Sequence, residues 1–167
     1  DEEYARLRNV FSDARISFMS NEDAARYLSY DLEHTNKVSK YYKVTETTNG
    51  TITTEVSKEE ATEAAENNIS PIATYHTTSY KNIEISTSKT GTNSYFIYVT
   101  NDWLINPRVK SYDVIAMRVD DATISSGTQS GVQFYTTNGV TDAVNYSYQG
   151  TNMVLSSNGF GIAMNLV

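Results

Sequence analysis

From Ala122 to Val167 the chain carries a single charged side chain, Asp142, and no proline. A β-sheet normally keeps Lys, Glu or Pro along its edges, because unpaired backbone groups otherwise pair with any strand they meet. A stretch of this kind needs a partner, within its own fold or outside it. Turn dipeptides Asn138-Gly139, Gln149-Gly150 and Asn158-Gly159 divide it into strand-like runs. These runs are Gly131 to Thr137, Val140 to Tyr148, Thr151 to Ser156 and Phe160 to Leu166. In the last, Phe160, Ile162, Met164 and Leu166 alternate with Gly161, Ala163 and Asn165, giving one apolar face and one face of small residues.

The middle of the chain has the same period. Ile83 and Ile85 share one side of a strand, a polar turn spans Lys89 to Asn93, and Tyr95, Ile97 and Val99 alternate with Phe96 and Tyr98. Apolar residues on both sides predict a central strand. Tyr112 to Asp120 gives another strand through Val114, Ile115, Met117 and Val119.

The first third reads differently. Tyr4, Leu7, Phe11, Ala14 and Phe18 fall at helical spacing, with Asp1, Glu2 and Glu3 at the positive end of the dipole. Ser20 predicts the N-cap of a second helix, running through Leu28 and Leu32 to an end at His34 to Asn36. Tyr42, Val44, Glu46, an Asn49-Gly50 turn and Ile52, Thr54, Val56 read as a hairpin. Ser57 with Glu60 forms a capping box for a short acidic helix, stopped by Asn67-Asn68 and Pro71.

The expected fold is therefore mainly β (α+β), an antiparallel β-sandwich or partly open barrel with an N-terminal helical layer. Residues 1–37 form the helical layer, 38–74 the hairpin and acidic helix, and 75–167 the β domain, all in one cooperative unit.

Composition narrows the partners. A net charge of −7 and 13 scattered Lys and Arg give no basic footprint for nucleic acid. No cysteine is present, which removes disulfides, thiolate metal sites and cysteine nucleophiles. The 13 tyrosines, with Ser, Thr and Asn at about a third of the chain, suit an exported bacterial surface protein. Asp1 stands where a mature chain would begin after signal-peptide removal. No run approaches the apolar length of a membrane helix, so a membrane partner is not expected.

Few residues suggest chemistry. His34 and His76 lack a spaced ligand set, no GxSxG elbow occurs, and no metal or cofactor is expected. Asp120-Asp121 beside Thr123 offers oxygens to calcium but without a known loop spacing, so a solvated turn is the simpler reading. A glycosidase would need two carboxylates across a cleft, and Glu84, Asp102, Asp113, Asp120, Asp121 and Asp142 are unmarked for that role. Asp113, in an otherwise apolar strand, calls for a cationic partner, and Arg108 and Arg118 are the structural ion-pair candidates. Trp103, Tyr112, Tyr135, Tyr146 and Tyr148 are the binding candidates, as aromatic platforms for a glycan or a protein; core-capping and strand-lining roles are the plainer alternative.

The run from Trp103 to Arg118, with Pro107, Lys110-Ser111-Tyr112-Asp113 and Val114-Ile115, resembles uncharacterised exported proteins of Firmicutes. Tyr80 to Ile85 and Gly159 to Leu166 are similar to the same group. The resemblance covers roughly residues 75 to 167, implies export from a Gram-positive cell and brings no activity with it. The expected function is a non-catalytic, secreted or cell-surface binding or assembly module whose partner is itself, another surface protein or a glycan. An extracellular hydrolase of cell-wall or other polymer is the alternative of a different class, and a membrane-acting or pore-forming protein is a third.

Overall fold

The computed structural model describes residues 1–67, 78–107, 110 and 112–166. The fold is mainly β and antiparallel, with short helices at the N-terminus, and among the described residues no sheet closes into a barrel. The chain divides into two compact units, Asp1–Val109 and Lys110–Val167.

The first unit holds helices α1 (Glu2–Arg8), α2 (Asp13–Ser17), α3 (Asn21–Leu28) and α4 (Lys58–Asn67), and strands β1 (Asp31–Thr47), β2 (Gly50–Val56), β3 (Thr78–Gly91) and β4 (Ser94–Ile105). The strands form one sheet in the order β2-β1-β3-β4. This grouping cuts across divisions at residues 37 and 74, because β1 begins at Asp31 and pairs with β3 from Asn36 to Thr45.

Local chemistry sets each helix. The apolar stripe expected as one helix is broken in two, because Asn9 ends α1 and the Ser12 side chain caps α2 by accepting from Arg15 N. The break turns Val10 and Phe11 inward together, at 6% and 3% exposure. Ser20 caps α3 as expected, accepting from Asp23 N at 3.1 Å. That helix stops at Leu28 rather than beyond Leu32; Leu32 reaches the same core from β1 and is fully buried. Ser57 accepts from Glu60 N at 3.1 Å, starting α4. The expected terminators Asn68 and Pro71 lie outside the described residues. The hairpin turn sits one residue earlier than the Asn-Gly signal implied: Thr47 pairs with Gly50, and Gly50 takes φ +122°, which only glycine adopts freely.

All four helices cover one face of this sheet. Leu7, Val10, Phe11, Tyr27 and Leu32 pack with Phe96 and Tyr98 of β4, while Ala61 of α4 packs with Tyr80 and Ile105. Ser86 and Ser88 of β3 lie opposite Tyr98 and Phe96, almost fully buried, and the Ser88 hydroxyl meets Thr35 Oγ1 at 2.7 Å. Small residues leave room for the rings there. Arg15 lies over this cluster, its guanidinium 5.9 Å from the Phe11 ring and 6.0 Å from Tyr27. Burial pushes the Tyr98 phenol above its ordinary range, with Arg15 acting in the opposite sense. One expectation fails: β4 is an edge strand, not a central one. Its Phe96 and Tyr98 are covered by helices, and Tyr95, Ile97 and Val99 alternate with them onto the opposite face.

The second unit holds β5 (Tyr112–Arg118), β6 (Gly131–Thr137), β7 (Val140–Tyr146), β8 (Met153–Leu155) and β9 (Gly159–Asn165). They make a three-stranded sheet, β5-β9-β8, and the β6-β7 hairpin. The hairpin turns at Asn138-Gly139, both at positive φ. Gly131 opens β6 against the Ile162 side chain, and Gln133 donates to Asn165 O at 2.6 Å while accepting from Tyr146 Oη at 2.7 Å. Ile162, 1% exposed, is the centre of this unit. The loop after β5 is pinned to the β8-β9 turn by Val119 N to Asn158 O at 2.8 Å and Ile124 N to Ser157 O at 2.9 Å.

Two substitutions test this packing. Phe11→Ala should lower stability by about 3 to 5 kcal/mol in urea unfolding, the cost of emptying a buried aromatic site. Gly159→Ala should also destabilise, by about 1 to 3 kcal/mol, because a Cβ there would sit 2.6 Å from the Met117 carbonyl oxygen. Wild-type midpoints in either variant would show that the ring or the close approach is not structural.

Candidate interaction surface

The aromatic candidates do not share one element. Trp103 lies on β4 in the first unit, half-buried, outside both core clusters, and opposite Lys81, whose Nζ stands 5.1 Å from the ring centroid. The other four belong to the second unit. Tyr112 is 67% exposed at the start of β5. Tyr135, on β6, donates to Asp142 across the hairpin at 3.3 Å. Tyr146 is tied to Gln133, and the Tyr148 hydroxyl to Ser126 Oγ at 2.8 Å, so these two phenols serve internal bonds.

Strand alternation separates Asp113 from Arg118. An offset of five places them on opposite faces of β5: Asp113 inward with Ile115 and Met117, Arg118 outward. The Asp113 carboxylate accepts from Val114 N at 2.9 Å, and Arg118 pairs instead with Asp120 at 3.2 Å, both well exposed. Arg108 and His76 lie outside the described residues. Asp121 takes φ +55° in the turn that follows, and among the described residues no group of His, Asp and Glu is arranged to hold a metal ion. No helix among them is long and apolar enough to cross a membrane.

Titratable chemistry concentrates at His34 and Asp31, which meet at 2.9 Å on the surface. The hydrogen bond to Asp31, then its charge, raises the His34 pKa above 6.5; the hydrogen bond from His34 lowers Asp31 below 3.8. Asp31 also borders a shallow depression with Ser29, Lys89, Thr90, Gly91 and Thr92. That hollow is open and holds no second carboxylate at a hydrolase spacing.

The residues that sequence reasoning missed are aliphatic. On the outer face of β5-β9-β8, Val114 and Val154 are 63% and 74% exposed, flanking Gly161 and Ala163 on the central strand. Tyr112 continues the face, and Arg118 supplies its only charge at one end. At the hairpin end Val140 is 67% exposed beside the Asn138-Gly139 turn. The signal was available: Val114 and Ile115 are adjacent in a strand, so one of them must face outward. A β-sheet face with large apolar groups and little charge marks an interaction surface.

No protein-family model matches this chain, and neither does any curated protein or solved structure.

The His34 pair gives a pH test. A raised His34 pKa stabilises the fold below the ordinary imidazole value and is lost as pH rises through the folded value. A lowered Asp31 pKa stabilises above the ordinary carboxylate value and is lost as pH falls through the folded one. Both describe one bond, so its contribution is confined to the window between the two titrations. Asp31→Asn should return the His34 pKa toward 6.5, read by NMR titration of the ring. An unmoved pKa would show that the carboxylate does not set it.

Proposed function

We propose that this protein is an exported, non-catalytic assembly module of a Gram-positive cell surface, whose sparsely charged outer sheet face binds other protein surfaces. The observation that supports the reading most is the outer face of β5-β9-β8, where Tyr112, Val114 and Val154 stand exposed around Gly161 and Ala163. Such a face loses unfavourable water contact when covered, at roughly 25 cal/mol per Å² of apolar surface. Edge strands without proline or lysine add the means for strand-to-strand addition. The resemblance of residues 75 to 167 to exported Firmicutes proteins supports the location, and the absence of cysteine and the high Tyr, Ser, Thr and Asn content agree with it.

Light scattering on the purified chain, over a wide concentration range, tests the reading. The wild type should gain mass with concentration, and Val114→Glu/Val154→Glu should weaken that association by at least about tenfold, since buried unpaired charge is costly. A wild type that stays monomeric throughout would defeat the proposal.

A further inference from the structure

We propose that the Asp142 carboxylate keeps the outer edge of β7 closed to strand addition by a second copy of this chain. The device lies at a strand edge, apart from the β5-β9-β8 face, and works whether or not that face binds.

The hairpin fixes which backbone groups point outward. Thr137 and Val140 flank the two-residue turn at Asn138-Gly139, the position of a hydrogen-bonded closing pair. Alternation makes Tyr135 with Asp142 and Gln133 with Val144 the next bonded pairs, so Thr141, Ala143 and Asn145 turn their N–H and C=O groups away from β6. Among the described residues β7 has no second neighbour, and these groups line an edge. On that edge Ala143 N donates to Asp142 Oδ1 at 2.8 Å, a charge-assisted bond within the strand itself. The other carboxylate oxygen accepts from the Tyr135 hydroxyl at 3.3 Å. An incoming strand needs the Ala143 N–H for its ladder and finds it already taken.

Strand β5 repeats the arrangement. Val119 N donates to Asn158 O in the register that pairs β5 with β9, so the odd-numbered residues of β5 bond inward and the even-numbered ones turn outward. Val114 N is one of the outward groups, and it donates to the Asp113 carboxylate at 2.9 Å. Among the described residues, Asp113 and Asp142 are the only acids within strands of the second unit. Both stand on edge strands, each one residue ahead of an outward N–H. That recurrence separates a guard from a chance surface charge.

The sequence of β7 selects a second copy as the excluded partner. Two β7 strands paired antiparallel about Ala143 would set Val140 opposite Tyr146 and Thr141 opposite Asn145, an apolar pair and a polar pair of the kind that stabilise ladders. Asp142 alone opposes this match. It would face Val144 of the other copy, with the two carboxylates about 7 to 8 Å apart on one face and no cation on either strand. Neither β6 nor β7 holds a lysine, arginine or proline that could block the edge in its place. The one charge between Ala122 and Val167 therefore sits where it prevents self-pairing.

Sedimentation velocity on the full chain tests this with Asp142→Ala, Asp142→Ala/Ala143→Pro, Asp142→Lys and Tyr135→Phe. Asp142→Ala frees the edge and should self-associate at least about tenfold more tightly than the wild type, since a charge-assisted bond and a like-charge contact are both removed. Adding Ala143→Pro deletes the outward N–H and should return association to the wild-type level. Asp142→Lys restores an edge charge and should also match the wild type. It decides the matter where proline unfolds the hairpin, as circular dichroism melts would show. Tyr135→Phe loosens the hairpin but leaves the edge bond, and should match the wild type. Unchanged association in Asp142→Ala overturns the proposal. So does association that persists in a folded proline variant or in the lysine variant, which places the contact elsewhere. Equal association in Tyr135→Phe overturns it too, by tracing the effect to a loosened hairpin. A monomeric wild type agrees with a closed edge, although it defeats the face contact proposed above.

Discussion

Phe11 meets Tyr98 with ring centroids 5.0 Å apart, and Tyr27 meets Phe96 at 5.2 Å, joining the loop after α1 and helix α3 to the edge strand β4. Much of the first unit depends on this cluster. Helices as short as α1 and α2 have little stability of their own, so they persist only because they bury apolar side chains on the sheet. The rings also fix which face they choose. With Phe96 and Tyr98 turned to the helices, alternation sends Tyr95, Ile97 and Val99 to the other side.

That consequence explains why β4 misleads a reader of sequence. Apolar residues on both sides normally mean cover on both sides, yet β4 is an edge strand with helices on one side only. The hairpin signals were legible because Asn-Gly and capping Ser residues act locally: Asn138-Gly139, Ser20 and Ser57 all do what their chemistry implies. The end of α3 was not legible, since Leu32 serves one core whether it arrives on a helix or on a strand. Nor was strand order, because the neighbours β5 and β9 are separated by β6, β7 and β8 in the chain.

The candidate surface was legible in kind but not in residue. Tyrosines attract notice as binding groups, yet the phenols of Tyr146 and Tyr148 are used to hold the second unit together. Exposed valines carry the open surface instead, and a valine in a strand is unremarkable until its face is known. The ion pair expected for Asp113 illustrates the same point: proximity in sequence suggested Arg118, and strand parity places it on the other face.

The sparse charge of the second unit has a chemical corollary of its own. Beyond Arg118 the chain contains no lysine and no arginine. A protease that cleaves after basic residues therefore finds no bond to cut anywhere from Val119 onward, whether that stretch is folded, frayed at the hairpin or fully unfolded. Resistance of this sort is written into composition rather than into stability. It would persist under conditions that melt the sheet, leaving a durable fragment where a more ordinary sequence would be digested to peptides.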